Sequence, residues 1–153
     1  MSADVASKLP PPDASKPTAR ERTLNRTGTT DPARTKENAV ARQFAIDLAR
    51  VISDTRSHQV VVLDVMAVSP VTDFFVIASG TSARQLRAAI DAAEELGHQQ
   101  KYGRMTRSGD DSSNWLILDC VDVIVHLFTQ DARSYYDIDS LWGDARRLKW
   151  ERE

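Results

Sequence analysis

A single cysteine, Cys120, stands in the whole chain, so no internal disulfide can form and no cysteine-based zinc site can be assembled within one chain. Long apolar runs are missing too. Runs such as Val60 to Leu63 and Leu116 to Leu118 fall far short of the ~20 residues that span a bilayer. The N-terminus offers no apolar core of a signal peptide, and Asp4, Asp13, Glu21 and Asp31 are foreign to an organelle transit peptide, so a cytoplasmic protein is expected. No full glycine-rich phosphate fingerprint occurs. His58 and His98 fall in expected loops, away from His126, which leaves a histidine metal site without support.

What remains is a chain of 153 residues, 41% hydrophobic and 27% charged, which fits one globular domain of ordinary size. The net charge of −2 conceals an asymmetry. Residues 1–36 carry seven Lys/Arg against four Asp/Glu, whereas residues 37–153 carry thirteen against eighteen, a net −5. An acidic domain repels phosphate backbones and attracts basic surfaces, so a basic protein partner is favoured and direct nucleic-acid contact is at most peripheral.

Residues 1–36 hold Pro10-Pro11-Pro12, Ser, Thr, Ala and charge with no periodic apolar positions, and read as a disordered tail. From about Lys36 to Ser53, Val40, Phe44, Ala45, Leu48, Val51 and Ile52 recur at helical spacing. Gln59 to Val65 and Asp73 to Ser79 read as two buried strands, and their short connection predicts antiparallel pairing. Gly80-Thr81-Ser82 opens a second helix, with Ser82 and Gln85 in capping-box spacing and Leu86, Ile90 and Ala93 on one stripe up to Leu96-Gly97. A strand is expected around Tyr102 to Arg107 and a loop over Ser108 to Ser113.

Residues 114–128 form the most apolar stretch, yet contain Asp119, Asp122 and His126. Fifteen residues are long for one strand. A split into Trp115 to Leu118 and Val123 to Phe128 about a reversal at 119–122 is one reading; Val121 sits where a tight turn prefers glycine or asparagine, so a bulged continuous strand is the other. Gln130 to Asp137 reads as a short helix, followed by Ile138 to Trp142 and a charged C-terminal stretch.

Each candidate site has a plainer explanation beside it. Gly80-Thr81-Ser82 could cradle a phosphate on free amides, but Ser82 caps a helix start by itself and no lysine adjoins it. Asp119 and Asp122 could hold magnesium, but three residues apart they do not share a face of one strand, and no third ligand is evident. His126 alternates with Ile124 and Phe128, the setting of a hydrogen-bonded structural histidine rather than a base. Trp115, Tyr135, Tyr136 and Trp142, interleaved with Asp137 and Asp139, have the composition of a protein-binding hot spot, with carboxylates that suit a Lys/Arg-rich partner.

Three blocks, Asp73-Phe-Phe-Val-Ile-Ala-Ser-Gly-Thr-Ser82, the stretch Trp115 to Phe128, and Tyr135-Tyr-Asp-Ile-Asp-Ser-Leu-Trp142, closely resemble the ribosomal silencing factor (Iojap-like) family from about Asn38 to Trp142. The resemblance implies an α/β (α+β) fold with a mixed, about five-stranded sheet packed by helices, similar to a nucleotidyltransferase core that lacks the catalytic carboxylates. It divides the chain into a tail at 1–36, a domain at 37–142 and a charged tail at 143–153. It implies no enzyme activity and no cofactor. Family members bind the large ribosomal subunit through its ribosomal protein number fourteen, block joining of the small subunit and repress translation. Carried over by position, Trp115, Asp119, Asp122, His126, Tyr135, Tyr136 and Trp142 are the expected partner-binding residues, and Val121 replaces what is often a glycine. A homodimer built on the apolar sheet face is compatible with this. The alternative is a magnesium-dependent, nucleotidyltransferase-like enzyme using Gly80-Thr81-Ser82 with Asp119 and Asp122.

Overall fold

The computed structural model describes residues 32–109 and 114–152. Most of the N-terminal tail expected from sequence, and most of the loop expected over 108–113, lie outside these residues. The chain is already helical at Pro32, before the expected start at Lys36, and a proline is well tolerated in a first helical turn because its missing N–H has no partner to lose there.

Helix α1 (Pro32–Asp54) leads to strand β1 (His58–Asp64), and β2 (Phe74–Gly80) returns antiparallel to it, as the short connection requires. Helix α2 (Ala83–Gln99) precedes β3 (Thr106–Ser108), β4 (Trp115–Asp119) and β5 (Val123–Thr129). Two short helices, α3 (Gln130–Tyr136) and α4 (Ile138–Leu141), then lead to β6 (Arg146–Leu148). The sheet runs in the order β3-β4-β5-β2-β1-β6, with β2 and β5 parallel and the other pairs antiparallel.

Six strands, rather than about five, make this sheet. The additional one is β6, which pairs Leu148 with Val62 and Arg146 with Asp64 and places Leu148 in the core. The residues after Trp142 are therefore not only a charged tail. Trp150 Nε1 donates to Val60 O at 3.0 Å, Arg50 Nε donates to Trp150 O at 2.7 Å, and both Arg152 Nη atoms meet the Asp54 carboxylate at 3.0 Å, so the segment fastens α1 to the β1 edge.

One sheet face is closed by α1 and α2. Phe44, Leu48 and Ile52 from α1 and Leu86, Ile90 and Ala93 from α2 pack on Val62, Val76, Leu118, Val125 and Leu127. Phe44, Ala45, Leu48 and Ile52 of the expected α1 stripe are buried, but its edge differs: Ala41 and Ala49 are buried, while Val40 is 58% exposed. Alanine at the contact lets a helix backbone approach the sheet closely, which a valine there would prevent. The other face collects Phe75, Ile77, Ile117, Ile124, Phe128 and Ile138 beneath α3 and α4.

Candidate functional site

The second face is where the expected site residues gather. Strand alternation puts Trp115, Ile117 and Asp119 of β4 beside Ile124, His126 and Phe128 of β5, through the register Trp115↔Phe128, Ile117↔His126 and Asp119↔Ile124. The 114–128 stretch is thus a hairpin and not a bulged continuous strand. Its reversal is tight. Asp122 N donates to Cys120 O at 2.9 Å, Asp119 Oδ1 accepts from Val121 N at 2.9 Å, and Val121 sits at φ 72°, the region a β-branched residue avoids most. Asp122 contributes through its backbone, its carbonyl accepting from Asp73 N and Phe74 N at 3.1 and 3.0 Å. Asp119 and Asp122 are both half-buried at this end of the sheet.

Trp115 and His126 are bound to each other. The indole Nε1 donates to His126 Nδ1 at 3.1 Å, so the neutral ring carries its proton on Nε2. His126 is buried, and burial pushes its pKa down from 6.5 to about 4. The Trp115 ring also lies 4.9 Å from Phe128 and 5.0 Å from Tyr136, while Phe75 meets His126 at 5.1 Å and Trp142 at 5.0 Å, both edge-on. Tyr136 and Trp142 are half-buried in this cluster. Tyr135 is different: it stands edge-on to Tyr136, 56% exposed, and Leu141 on α4 is 73% exposed. The expected set therefore separates into a packed aromatic layer (Trp115, His126, Tyr136, Trp142), an outward ring (Tyr135) and two turn carboxylates (Asp119, Asp122).

Arg133, which sequence reasoning missed, ties the two short helices to the sheet. Its guanidinium grips Asp139 in a bidentate pair, Nε to Oδ2 at 3.1 Å and Nη2 to Oδ1 at 2.9 Å, while Nη1 donates to Gln59 O and, at 3.1 Å, to Ser79 Oγ. One side chain so joins α3 to α4, β1 and β2. The Arg133 hydrogen bond holds the Asp139 carboxyl below its ordinary range. The only sequence signal was an arginine on a short helix with an acid six residues on; the left-handed Asp137 (φ 49°), which ends α3 and turns the chain back, brings them together. Beside this pair a cleft of about 490 Å³ opens between β1, α3 and β6, lined by Gln59, Val61, Asp137 and Arg147 among others.

The start of α2 is closed by its own chain. Ser82 Oγ accepts from Gln85 N at 3.2 Å, the cap that the spacing predicted, while Gln85 Oε1 reaches back one residue beyond the N-cap and accepts from Thr81 N at 2.9 Å. A Cβ on Gly80 would fall 2.5 Å from Gln85 Oε1 and 2.7 Å from Leu86 Cδ2, so a side chain there would displace the ends of both residues and with them the Gln85 bond to Thr81 N. Amides already engaged by Ser82 and Gln85 are poor phosphate donors. Among the described residues no three His, Cys, Asp or Glu side chains are grouped as a metal site requires.

A family model described as "Ribosomal silencing factor during starvation" matches residues 38–153. The chain is 32% identical over 113 residues to the ribosomal silencing factor RsfS of Halalkalibacterium halodurans, covering 73% of this chain and 97% of that one. It is 39% identical over 101 residues to RsfS of Bacillus subtilis, covering 63% and 82%. To the chloroplastic protein Iojap of Arabidopsis thaliana it is 31% identical over 117 residues, which is 76% of this chain and 49% of that longer one. Among solved structures, one from Bacillus halodurans superposes with a TM-score of 0.58 at 29% identity, covering 70% of this chain and 94% of that one. One from Chromobacterium violaceum gives 0.62 at 23% identity with coverages of 75% and 92%, a likeness of fold.

Proposed function

The chain belongs to the ribosomal silencing factor family, and on that premise we propose that it binds the large ribosomal subunit through its ribosomal protein number fourteen and, from there, sterically blocks joining of the small subunit. Translation falls as a result, with no bond made or broken and no cofactor involved. The observation that carries this reading is the extent of the family match: residues 38–153 take in β1 to β6 together, so the scaffold and the aromatic layer are both inside it.

Chemistry on the surface supports the same reading. Tyr135 and Leu141 offer exposed area on short helices that Arg133 ties to each other through Asp139 and to the sheet through Gln59 and Ser79, and well-held aromatic anchors bind at low entropic cost. Asp131 and Asp137, both exposed, flank Tyr135, and the net −5 of residues 37–153 suits a cationic ribosomal protein. Tyr135, Tyr136 and Trp142 are the proposed contact group; Trp115 and His126 set their position from below. The cytoplasm is the proposed location, where ribosomal subunits meet; among the described residues no helix is long and apolar enough to cross a membrane.

Co-sedimentation of the purified protein with separated ribosomal subunits tests the proposal. Pelleting with large but not small subunits is expected, and absence of large-subunit binding at both low and moderate salt rejects it.

A further inference from the structure

The cleft beside the Arg133–Asp139 pair is lined by two guanidiniums and two carboxylates, and the protein uses only one of each. Arg133 and Asp139 neutralise each other in their bidentate pair. Arg147 and Asp137, both exposed, form no ion pair among the described residues. The two stand on different walls. Leu148 turns into the core under α1 and α2, so its neighbour Arg147 turns to the opposite sheet face, where α3 and α4 pack. Its charge is felt there: the Asp139 carboxyl is held below its ordinary range first by the Arg133 bond and, more weakly, by Arg147. Asp137 joins α3 to α4, and although it is the N-cap of α4 its side chain makes no capping hydrogen bond. The carboxylate is left to the cleft.

The rest of the lining is built for a ligand as well. Arg133 has a donor to spare, since its bonds to Asp139, Gln59 and Ser79 account for four of the five guanidinium N–H groups. Ser134 adds an exposed hydroxyl on α3, and Val60 and Val61 add a half-buried aliphatic stretch. Gln59 and Asp137 hold left-handed backbones at φ 51° and 49°, and Gln59 lies where the β1–β2 register shifts; such strain and bulges gather at binding sites. The volume of about 490 Å³ lies within the usual range of ligand pockets.

Charge selects the class of ligand. Phosphate esters and other polyanions are opposed by Asp137 and Asp139, and polyamines by Arg147 and Arg133. A molecule with one charge of each sign meets both open groups. We propose that this cleft binds a small zwitterion, an α-amino acid or dipeptide with an aliphatic side chain, its carboxylate on Arg147 and its ammonium on Asp137 and Ser134. Bound so, the ligand ties β6 to the junction of the two short helices, next to Tyr135. Its binding is measured without ribosomes, so this site stands or falls apart from the subunit-binding reading.

Isothermal titration calorimetry of the full chain tests it, with L-leucine and L-leucyl-L-leucine compared against N-acetyl-L-leucine, which lacks the ammonium, and L-leucinamide, which lacks the carboxylate. Saturable heat with one of the two zwitterions is expected at a Kd of about 1 mM or tighter, and the tighter of them identifies the source. Each blocked analogue should bind at least about tenfold more weakly, and Arg147→Met and Asp137→Asn should each weaken the zwitterion by about the same factor. Asparagine keeps the left-handed backbone of Asp137. Thermal midpoints check both variants, and the blocked analogues on the parent chain keep the test decisive should a variant fail to fold. The site is overturned if neither zwitterion gives saturable heat up to about 10 mM. Blocked analogues that bind as well as leucine, or binding that neither variant weakens, overturn it too.

Discussion

Trp115 of β4 and His126 of β5 lie diagonally across one hairpin and close on each other, indole Nε1 to imidazole Nδ1 at 3.1 Å, so two residues that look like contact groups are first of all each other's partners. An amphipathic ring buried this way has its polar end satisfied and its apolar body free to support the layer above it.

Because burial lowers the His126 pKa from 6.5 to about 4, the fold favours the neutral ring. The unfolded chain therefore binds this proton first as pH falls. Stability from this group is complete above about pH 6.5 and is lost progressively down to about pH 4, by roughly 3 kcal/mol in all. Urea unfolding at pH 7, 5.5 and 4.5 should show that loss, and His126→Phe should show less of it. Equal slopes for both proteins would contradict the assignment.

Removing the Arg133 guanidinium leaves the Asp139 carboxylate, the Gln59 carbonyl and the Ser79 hydroxyl without it. Arg133→Met is expected to cost roughly 2–3 kcal/mol in urea unfolding. Arg146→Met makes the contrast, since Arg146 is 69% exposed and its 3.3 Å pair with Asp64 lies at the surface; about 0.5 kcal/mol or less is expected there.

At Val121, φ is 72°, which stores backbone strain that glycine does not have. Val121→Gly is expected to be neutral or stabilising by up to about 1 kcal/mol, the released strain being offset in part by the added freedom of the unfolded chain. Gly80→Ala is the opposite case, since its Cβ would meet Gln85 Oε1 at 2.5 Å; its thermal midpoint should fall clearly below that of the parent protein.

Tyr135→Ala should leave thermal stability nearly unchanged, because the ring is 56% exposed, while weakening large-subunit binding about tenfold. Trp115→Phe should do the reverse in part, lowering stability by about 1–3 kcal/mol through the unsatisfied His126 Nδ1. Thermal melting and quantitative pelleting on the same samples separate the two effects.

Much of this was legible in residues 37–142. Continuous apolar, β-branched runs marked β2 and β5 and Ser82 with Gln85 marked the α2 start, whereas Val121 left a hairpin and a bulged strand both open, because a β-branched residue rarely takes the positive φ that the turn imposes on it. The α1 stripe was legible in Phe44, Ala45, Leu48 and Ile52, but Val40 stood in it for Ala41 because it is more apolar, although Ala41, three and four residues before Phe44 and Ala45, is the one that faces the sheet. Strand β6 was hidden by its own composition: two arginines and one leucine carry no alternation, and only the open edge of β1 makes a strand of them. Arg133 was hidden for a related reason. Its partners come from three other elements, and no local pattern encodes a contact that the tertiary fold creates. The separation of Tyr135 from Trp115, His126, Tyr136 and Trp142 likewise needed the packing of α3 on the sheet.

The most direct measurement is light scattering on mixing small subunits with large subunits that have been preincubated with the purified protein. The account predicts that the rise in scattering from subunit joining is suppressed as protein is added, and is restored by Tyr135→Ala at the same concentration. Full joining in the presence of excess protein would contradict it.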